Sequence, residues 1–240
     1  MAIEFIRDAN PENVAIRAGD FLSRELLALA GKETLLLVSG GSSLGTFEHM
    51  SDASFRSNIT VGQIDERWTS HQGDLNAEAF KKTLFSKKIR EFGAPFVPID
   101  TSLPSVEESA RAYEEYLKQW KTAWHDSAIV AVLGIGEDGH IAGIMPNTTD
   151  TNVFNRDFYD TRAWYRGYDT EGVGEFPSRV TATMKFLYQE VHVAFVVCAG
   201  GKKRGALERL YAPEGSLAQT PARILREMRH VYLFSDVEGG

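Results

Sequence analysis

Sulfur chemistry is nearly missing from this chain: Cys198 is the one cysteine in 240 residues. That excludes an intramolecular disulfide and a cysteine-built metal cluster. Long apolar runs are missing too. No stretch approaches the ~20 apolar residues that cross a bilayer. The first ten residues carry Glu4, Arg7 and Asp8 where an export signal would be apolar. Positive charge is in deficit: 26 Lys and Arg against 33 Asp and Glu leave a net charge of −7. Such a balance disfavours sequence-independent binding to nucleic acid. Internal repeats and low-complexity linkers are absent, and the six histidines contain no HExxH spacing. The expectation is a cytoplasmic protein without membrane or nucleic-acid partners and without a metal or organic cofactor. An anionic small molecule remains compatible with it, because a local cationic pocket can sit on an acidic surface.

What is present fits one α/β domain over residues 1–240, with 43% apolar and 25% charged residues. Asn10 reads as an N-cap, with Pro11 and Glu12 in the first turn. Val14, Ala18, Phe21, Leu22, Leu26 and Leu29 follow at helical spacing, and Gly31 ends the helix. Residues 34–39, 59–64, 96–99, 129–133, 191–198 and 231–235 are short apolar runs and read as strands. Helices are expected near 44–50, 78–85, 203–211 and 221–228. Another is expected where Val106, Ala110, Tyr113, Leu117 and Trp120 form a stripe. Strands alternating with helices predict a mostly parallel sheet covered on both faces, and ligands of such sheets bind beyond the carboxyl ends of the strands.

Four segments fall at those ends. The first is Ser39-Gly40-Gly41-Ser42-Ser43, where backbone N–H groups and two hydroxyls can meet an anion. Its plainer reading is a tight turn with a serine cap. Gly40 and Gly45 have Walker A spacing, but Thr46 stands where the lysine is needed, which argues against a nucleoside triphosphate. The second is the run from Gly134 to His140. It contains G-x-G-x-x-G, yet Glu137 and Asp138 would repel a pyrophosphate. A carboxylate beside an imidazole suggests proton transfer instead, with Asp138 or Glu137 orienting His140 as a base toward water. The third is Asp65-Glu66-Arg67, which either re-enters water or presents acid, base and anion-binding groups. The fourth is the pair Arg179 and Lys203, each taken singly a candidate surface charge. Lys185, Lys202, Arg204 and Arg209 lie near them in sequence.

In this order, the four segments resemble the family of 6-phosphogluconolactonases and glucosamine-6-phosphate deaminases/isomerases. The matching stretches are SGGSS at 39–43, DER at 65–67, LGIGEDGHIA at 133–142, PSRVTAT at 177–183 and GGKK at 200–203. The resemblance implies a Rossmann-like three-layer α/β/α fold without a nucleotide. It implies a sugar phosphate held by Gly40, Gly41, Ser42, Ser43, Arg179 and Lys203, and His140 as catalytic base. Asp138, Asp65 and Arg67 would join the catalysis and Glu137 the substrate contacts. Met145 stands where the deaminases carry a catalytic glutamate, and Arg67 where they usually carry tyrosine. Both differences favour hydrolysis of a phosphosugar lactone; deamination or a non-catalytic phosphosugar sensor are the alternatives. Residues 150–176 match no motif of the family.

Overall fold

Short β-branched and leucine-rich runs pair into the centre of the molecule, and amphipathic helices cover them. The computed structural model describes residues 3–170, 172 and 175–238. Strand β1 (Ile3–Arg7) leads to helix α1 (Pro11–Ala28). The Asn10 side chain accepts the Glu12 N–H at 3.0 Å, so the expected cap is present. Helix α1 stops at Ala28 with Leu29 as its C-cap, short of Gly31. Strands β2 (Thr34–Val38) and β3 (Ile59–Gln63) are buried along their whole length.

Strand β4 (Asp65–Arg67), helices α2 (Asn76–Lys81) and α3 (Leu84–Glu91), strand β5 (Phe96–Val97) and helix α4 (Val106–Ala123) follow. Next come β6 (Ala128–Gly134), α5 (Thr151–Phe158), β7 (Tyr165–Asp169), β8 (Ser178–Ala182), α6 (Met184–Glu190), β9 (Val193–Val197), α7 (Arg204–Tyr211) and β10 (Val231–Ser235). The helix expected near 78–85 is two helices, because Thr83 is extended and its hydroxyl donates to the Phe80 carbonyl of the first at 2.7 Å while capping the second by accepting the Ser86 N–H at 3.1 Å. Those expected near 44–50 and 221–228 are 3₁₀ turns, Gly41–His49 and Pro221–Arg226.

The main sheet has the order β1-β10-β9-β6-β2-β3-β5, and every pair in it is parallel. A second sheet, β4-β8-β7, is antiparallel and was not foreseen. Two apolar cores result. Helix α1, the 3₁₀ run after β2 and the phenylalanines of α2 and α3 cover one face. The stripe of α4, with α6 and α7, covers the other. Leu117 in that stripe is fully buried, so Leu117→Ala should cost about 2–5 kcal/mol.

From β2 the chain moves outward through β3 and β5, then returns to β6 on the opposite side of β2. The β2–β6 boundary is therefore the topological switch point, and the turns that follow these two strands open on either side of it.

Candidate active site

The turn after β2 is built around close approach. Gly40 is extended, and Gly41 has a φ of +71°, which suits glycine. Any Cβ at Gly40 would fall on the side-chain amide of Asn76. Ser42 is exposed and lines a cavity of about 770 Å³ at the carboxyl edge of the sheet. Ser43 is fully buried beneath the turn, and its hydroxyl donates to the Gly40 carbonyl at 3.0 Å. It shapes the turn without lining the cavity.

The turn after β6 folds back on itself. Gly136 N–H donates to the His140 carbonyl at 2.9 Å, and Gly139, at φ +91°, donates to the Gly136 carbonyl at 3.0 Å. This brings the Asp138 carboxylate within 2.7 Å of His140 Nδ1 and 3.1 Å of the His140 backbone nitrogen. Burial tends to raise the Asp138 carboxyl, but the hydrogen bond and charge of His140 outweigh it and hold it below its ordinary value. An ionised Asp138 only accepts, so Nδ1 carries the proton and Nε2 is left with its lone pair. A side chain at Gly136 would fall on the imidazole.

The run Asp65-Glu66-Arg67 does not re-enter water. It forms β4, with Asp65 6% and Glu66 0% exposed. Burial raises the Asp65 carboxyl above its ordinary value, against the pull of Arg179, His140 and Arg67. Burial also raises Glu66, opposed by donors from Gln63 Nε2, Arg67 N, Asn76 N and Ala77 N at 2.7–2.8 Å. Glu66 therefore faces away from the cavity and ties β4 to the start of α2. Asn76 Nδ2 donates to the Asp65 carbonyl at 3.1 Å and sits 3.3 Å from its carboxylate.

Arg67 and Arg179 are register partners across β4 and β8. The Arg67 guanidinium lies 4.5 Å from the Phe176 ring centroid and the Arg179 guanidinium 6.0 Å. Arg67 Nη1 donates to the Asp74 carbonyl at 2.6 Å, and Arg179 Nη1 is 3.8 Å from Asp65 Oδ2. Both Nε atoms are buried without a partner. The two guanidiniums concentrate positive charge at this end of the cavity, offset in part by the Asp65 carboxylate.

The strap after His140 forms the cavity wall. Ala142 has a φ of +54°, the one positive φ outside glycine among the described residues, and its carbonyl accepts the Thr181 hydroxyl. Tyr168 Oη donates to the Gly143 carbonyl at 2.6 Å and accepts the Met145 N–H at 3.1 Å. Lys203 Nζ donates to the Ile135 carbonyl at 2.6 Å.

The cavity thus gathers Gly40, Gly41, Ser42, Asp65, Arg67, Glu137, Asp138, His140, Arg179 and Lys203 from five separate segments. Of the residues singled out in the sequence, Ser43 stands outside it, as do Glu66 of the charged run and the neighbouring cations Lys185, Lys202, Arg204 and Arg209. Sequence reading missed Asn76, Ala142 and Glu175, which line the cavity, and Phe176 and Tyr168, which hold its walls. Asn76 was legible as the residue opening a helix just after the charged run, and Ala142 closes the LGIGEDGHIA motif; Tyr168, Glu175 and Phe176 lie in the stretch without a motif.

The profile described as glucosamine-6-phosphate isomerases/6-phosphogluconolactonase matches residues 9–233. A 6-phosphogluconolactonase from a Synechocystis strain is 26% identical over 218 residues, 89% of this chain and 86% of that one. One from Thermotoga maritima is 30% identical over 176 residues, 72% of each chain. In fold, the chain is similar to the crystal structure of a 6-phosphogluconolactonase from Shewanella baltica, with a TM-score of 0.77 at 19% identity over 98% of this chain and 97% of that one.

Proposed function

Because the chain belongs to the glucosamine-6-phosphate isomerase/6-phosphogluconolactonase family, we propose that it hydrolyses 6-phospho-D-glucono-1,5-lactone to 6-phospho-D-gluconate, the lactone-opening step of the oxidative pentose phosphate pathway. The observation that carries the reading is the 2.7 Å contact between His140 Nδ1 and Asp138 inside a cavity lined by cations. Asp138 fixes the tautomer, and Nε2 takes a proton from water as the water oxygen bonds to C1 of the lactone. The carbonyl oxygen becomes an oxyanion, which Arg67 stabilises. The C1–O5 bond then breaks, and His140 returns the proton to O5. The new carboxylic acid releases its own proton to solvent. No step needs an electron acceptor or a group carrier.

The phosphate belongs with the N–H groups of Gly40 and Gly41, the Ser42 hydroxyl, Arg179 and Lys203, with Ser43 keeping the turn in shape. Remote binding of this kind orients the carbonyl toward the base. Asp65, fixed by Asn76, and Glu137 at the rim meet the sugar hydroxyls. Met145, 7% exposed on the cavity wall, has no proton to transfer, which supports hydrolysis over deamination. No helix of the described residues is long and apolar enough to cross a membrane. A cytoplasmic setting suits the lone buried Cys198.

The direct test compares freshly prepared 6-phosphogluconolactone with glucosamine 6-phosphate. Hydrolysis well above the spontaneous rate, with no ammonia from the amino sugar, is expected. Ammonia release without lactone turnover would move the chain to the other branch of the family.

A further inference from the structure

An ammonium group ties the turn that carries His140 to the cationic end of the cavity. Ile135, whose carbonyl accepts Lys203 Nζ at 2.6 Å, opens that turn. The turn then closes on itself through Gly136 N–H and the His140 carbonyl at 2.9 Å, so a shift of Ile135 is carried to His140. The glycine–serine turn after β2 touches the same segment. The two lie side by side, so that a Cβ added at Gly134 would come 3.9 Å from Ser43 Cβ and 4.0 Å from Ser42 Oγ.

Two more donors hold the turn from the C-terminal side. Arg209 Nη2 donates to the Glu137 carbonyl at 2.9 Å, and Ala222 N–H donates to the Gly139 carbonyl at 2.9 Å. The alternate carbonyls of 135, 137 and 139 are therefore each taken by the segment that follows β9. Of the three donors, only Lys203 also lines the cavity.

An ammonium has three N–H donors. One is engaged with Ile135; an anion seated on the glycine–serine turn can accept the others. We infer that the phosphate group acts as an activator as well as a handle: an inorganic phosphate bound alone should switch on hydrolysis of an unphosphorylated aldonolactone. The inference rests on the lactonase reading above. An anion held by Lys203 restricts a side chain with much rotamer freedom, fixes the Ile135 carbonyl and so fixes the His140–Asp138 pair. Binding energy at a group that does not react then lowers the barrier at one that does.

The experiment follows wild-type hydrolysis of glucono-1,5-lactone as inorganic phosphate rises at constant ionic strength, with an enzyme-free blank at each point. The expected result is a saturable rise in kcat/KM of about tenfold or more, ~1.4 kcal/mol at tenfold. The half-maximal phosphate concentration should match the inhibition constant of phosphate against the phosphorylated lactone. Lys203→Ala should abolish the rise, and on the phosphorylated lactone it should lower kcat as well as raise KM. Arg209→Ala, which removes a tie outside the cavity, should leave the half-maximal concentration in place and change the size of the rise; Arg209→Lys should restore it. A flat or purely inhibitory phosphate curve, from wild type that turns over the phosphorylated lactone, overturns the inference and leaves the lactonase reading intact. Wild type that turns over neither lactone overturns both.

Discussion

Arg67 and Arg179 occupy opposed positions in the antiparallel pair of β4 and β8, so two guanidinium-bearing residues face each other beside one phenylalanine ring, that of Phe176. The Asp65 carboxylate, 3.8 Å from Arg179, offsets part of the repulsion between them, and an anion in the cavity would offset more. Phosphate or sulfate should therefore raise the melting temperature. At a hundred times its Kd, an anion that binds only the folded state stabilises by about 2.7 kcal/mol. Arg179→Ala should weaken substrate binding by roughly 1.5–3 kcal/mol and should also lower the melting temperature of the ligand-free protein, because the buried Asp65 carboxyl loses its main countercharge. Unchanged KM in Arg179→Ala, or a phosphate-independent melting curve in wild type, would count against an anion site here.

His140→Ala should lower kcat by about 10²–10⁴-fold, the contribution of a positioned acid–base group, with little change in melting temperature because the ring is partly exposed. Asp138→Asn should lower it less, since it disturbs orientation and tautomer while leaving the imidazole. Spontaneous opening of the lactone has to be subtracted throughout. Near-normal turnover by His140→Ala after that correction would remove the general-base role.

Gly143 has a φ of +72°, and a Cβ there would sit 2.8 Å from both Cβ and Oδ2 of Asp65. Gly143→Ala should cost about 1–2 kcal/mol for the backbone conformation alone and should also push Asp65 out of place. Denaturant melts should show the stability loss. Kinetics should show a larger drop in kcat/KM than Ala142→Gly, which relaxes a positive φ and meets no new contact.

His192 offers a pH readout away from the cavity. Its Nδ1 accepts the Ile129 N–H at 2.9 Å, and the His192 backbone N–H donates to the Ile129 carbonyl at 2.8 Å. Burial, with Lys121, Arg229 and Lys32 adding to it, holds the ring below its ordinary value of 6.5. The unfolded chain therefore binds a proton at a higher pH than the native one. Stability should fall as pH drops from about 6.5 through the lowered native value. His192→Asn keeps an acceptor near Ile129 and cannot titrate, so this part of the acid dependence should vanish in urea melts across that range.

The parallel sheet was legible because Thr34–Val38 and Ala128–Gly134 are near-continuous apolar runs, the pattern of a strand covered on both faces; Ile59–Gln63 is equally buried with Thr60 and Gly62 on one face. The cavity was legible because its turns follow those strands. The antiparallel sheet was not. Asp65-Glu66-Arg67 looks like solvent-facing sequence, and Glu66 is buried only because four N–H donors converge on it. Tyr165–Asp169 reads Tyr-Arg-Gly-Tyr-Asp, with no period-two alternation to mark a strand, and its place depends on pairing with Ser178–Ala182. The Thr83 break between α2 and α3 depends on a side chain accepting a backbone N–H, which hydrophobic periodicity does not register.

The sheet order carries a consequence for how the chain is made. The edge strand β1 is hydrogen-bonded to β10, and β10 lies between β1 and β9. On a ribosome, β1 emerges first and must wait for nearly the whole chain before its neighbour exists, whereas β2, β3 and β6 can pair early. Contacts of such wide sequence separation form late and slowly. The cavity is bordered by strands from the early group, yet Lys203 follows β9. A nascent chain released before residue 203 would therefore carry the His140 turn without the lysine that holds its first carbonyl, and with β1 still open to pairing with other chains.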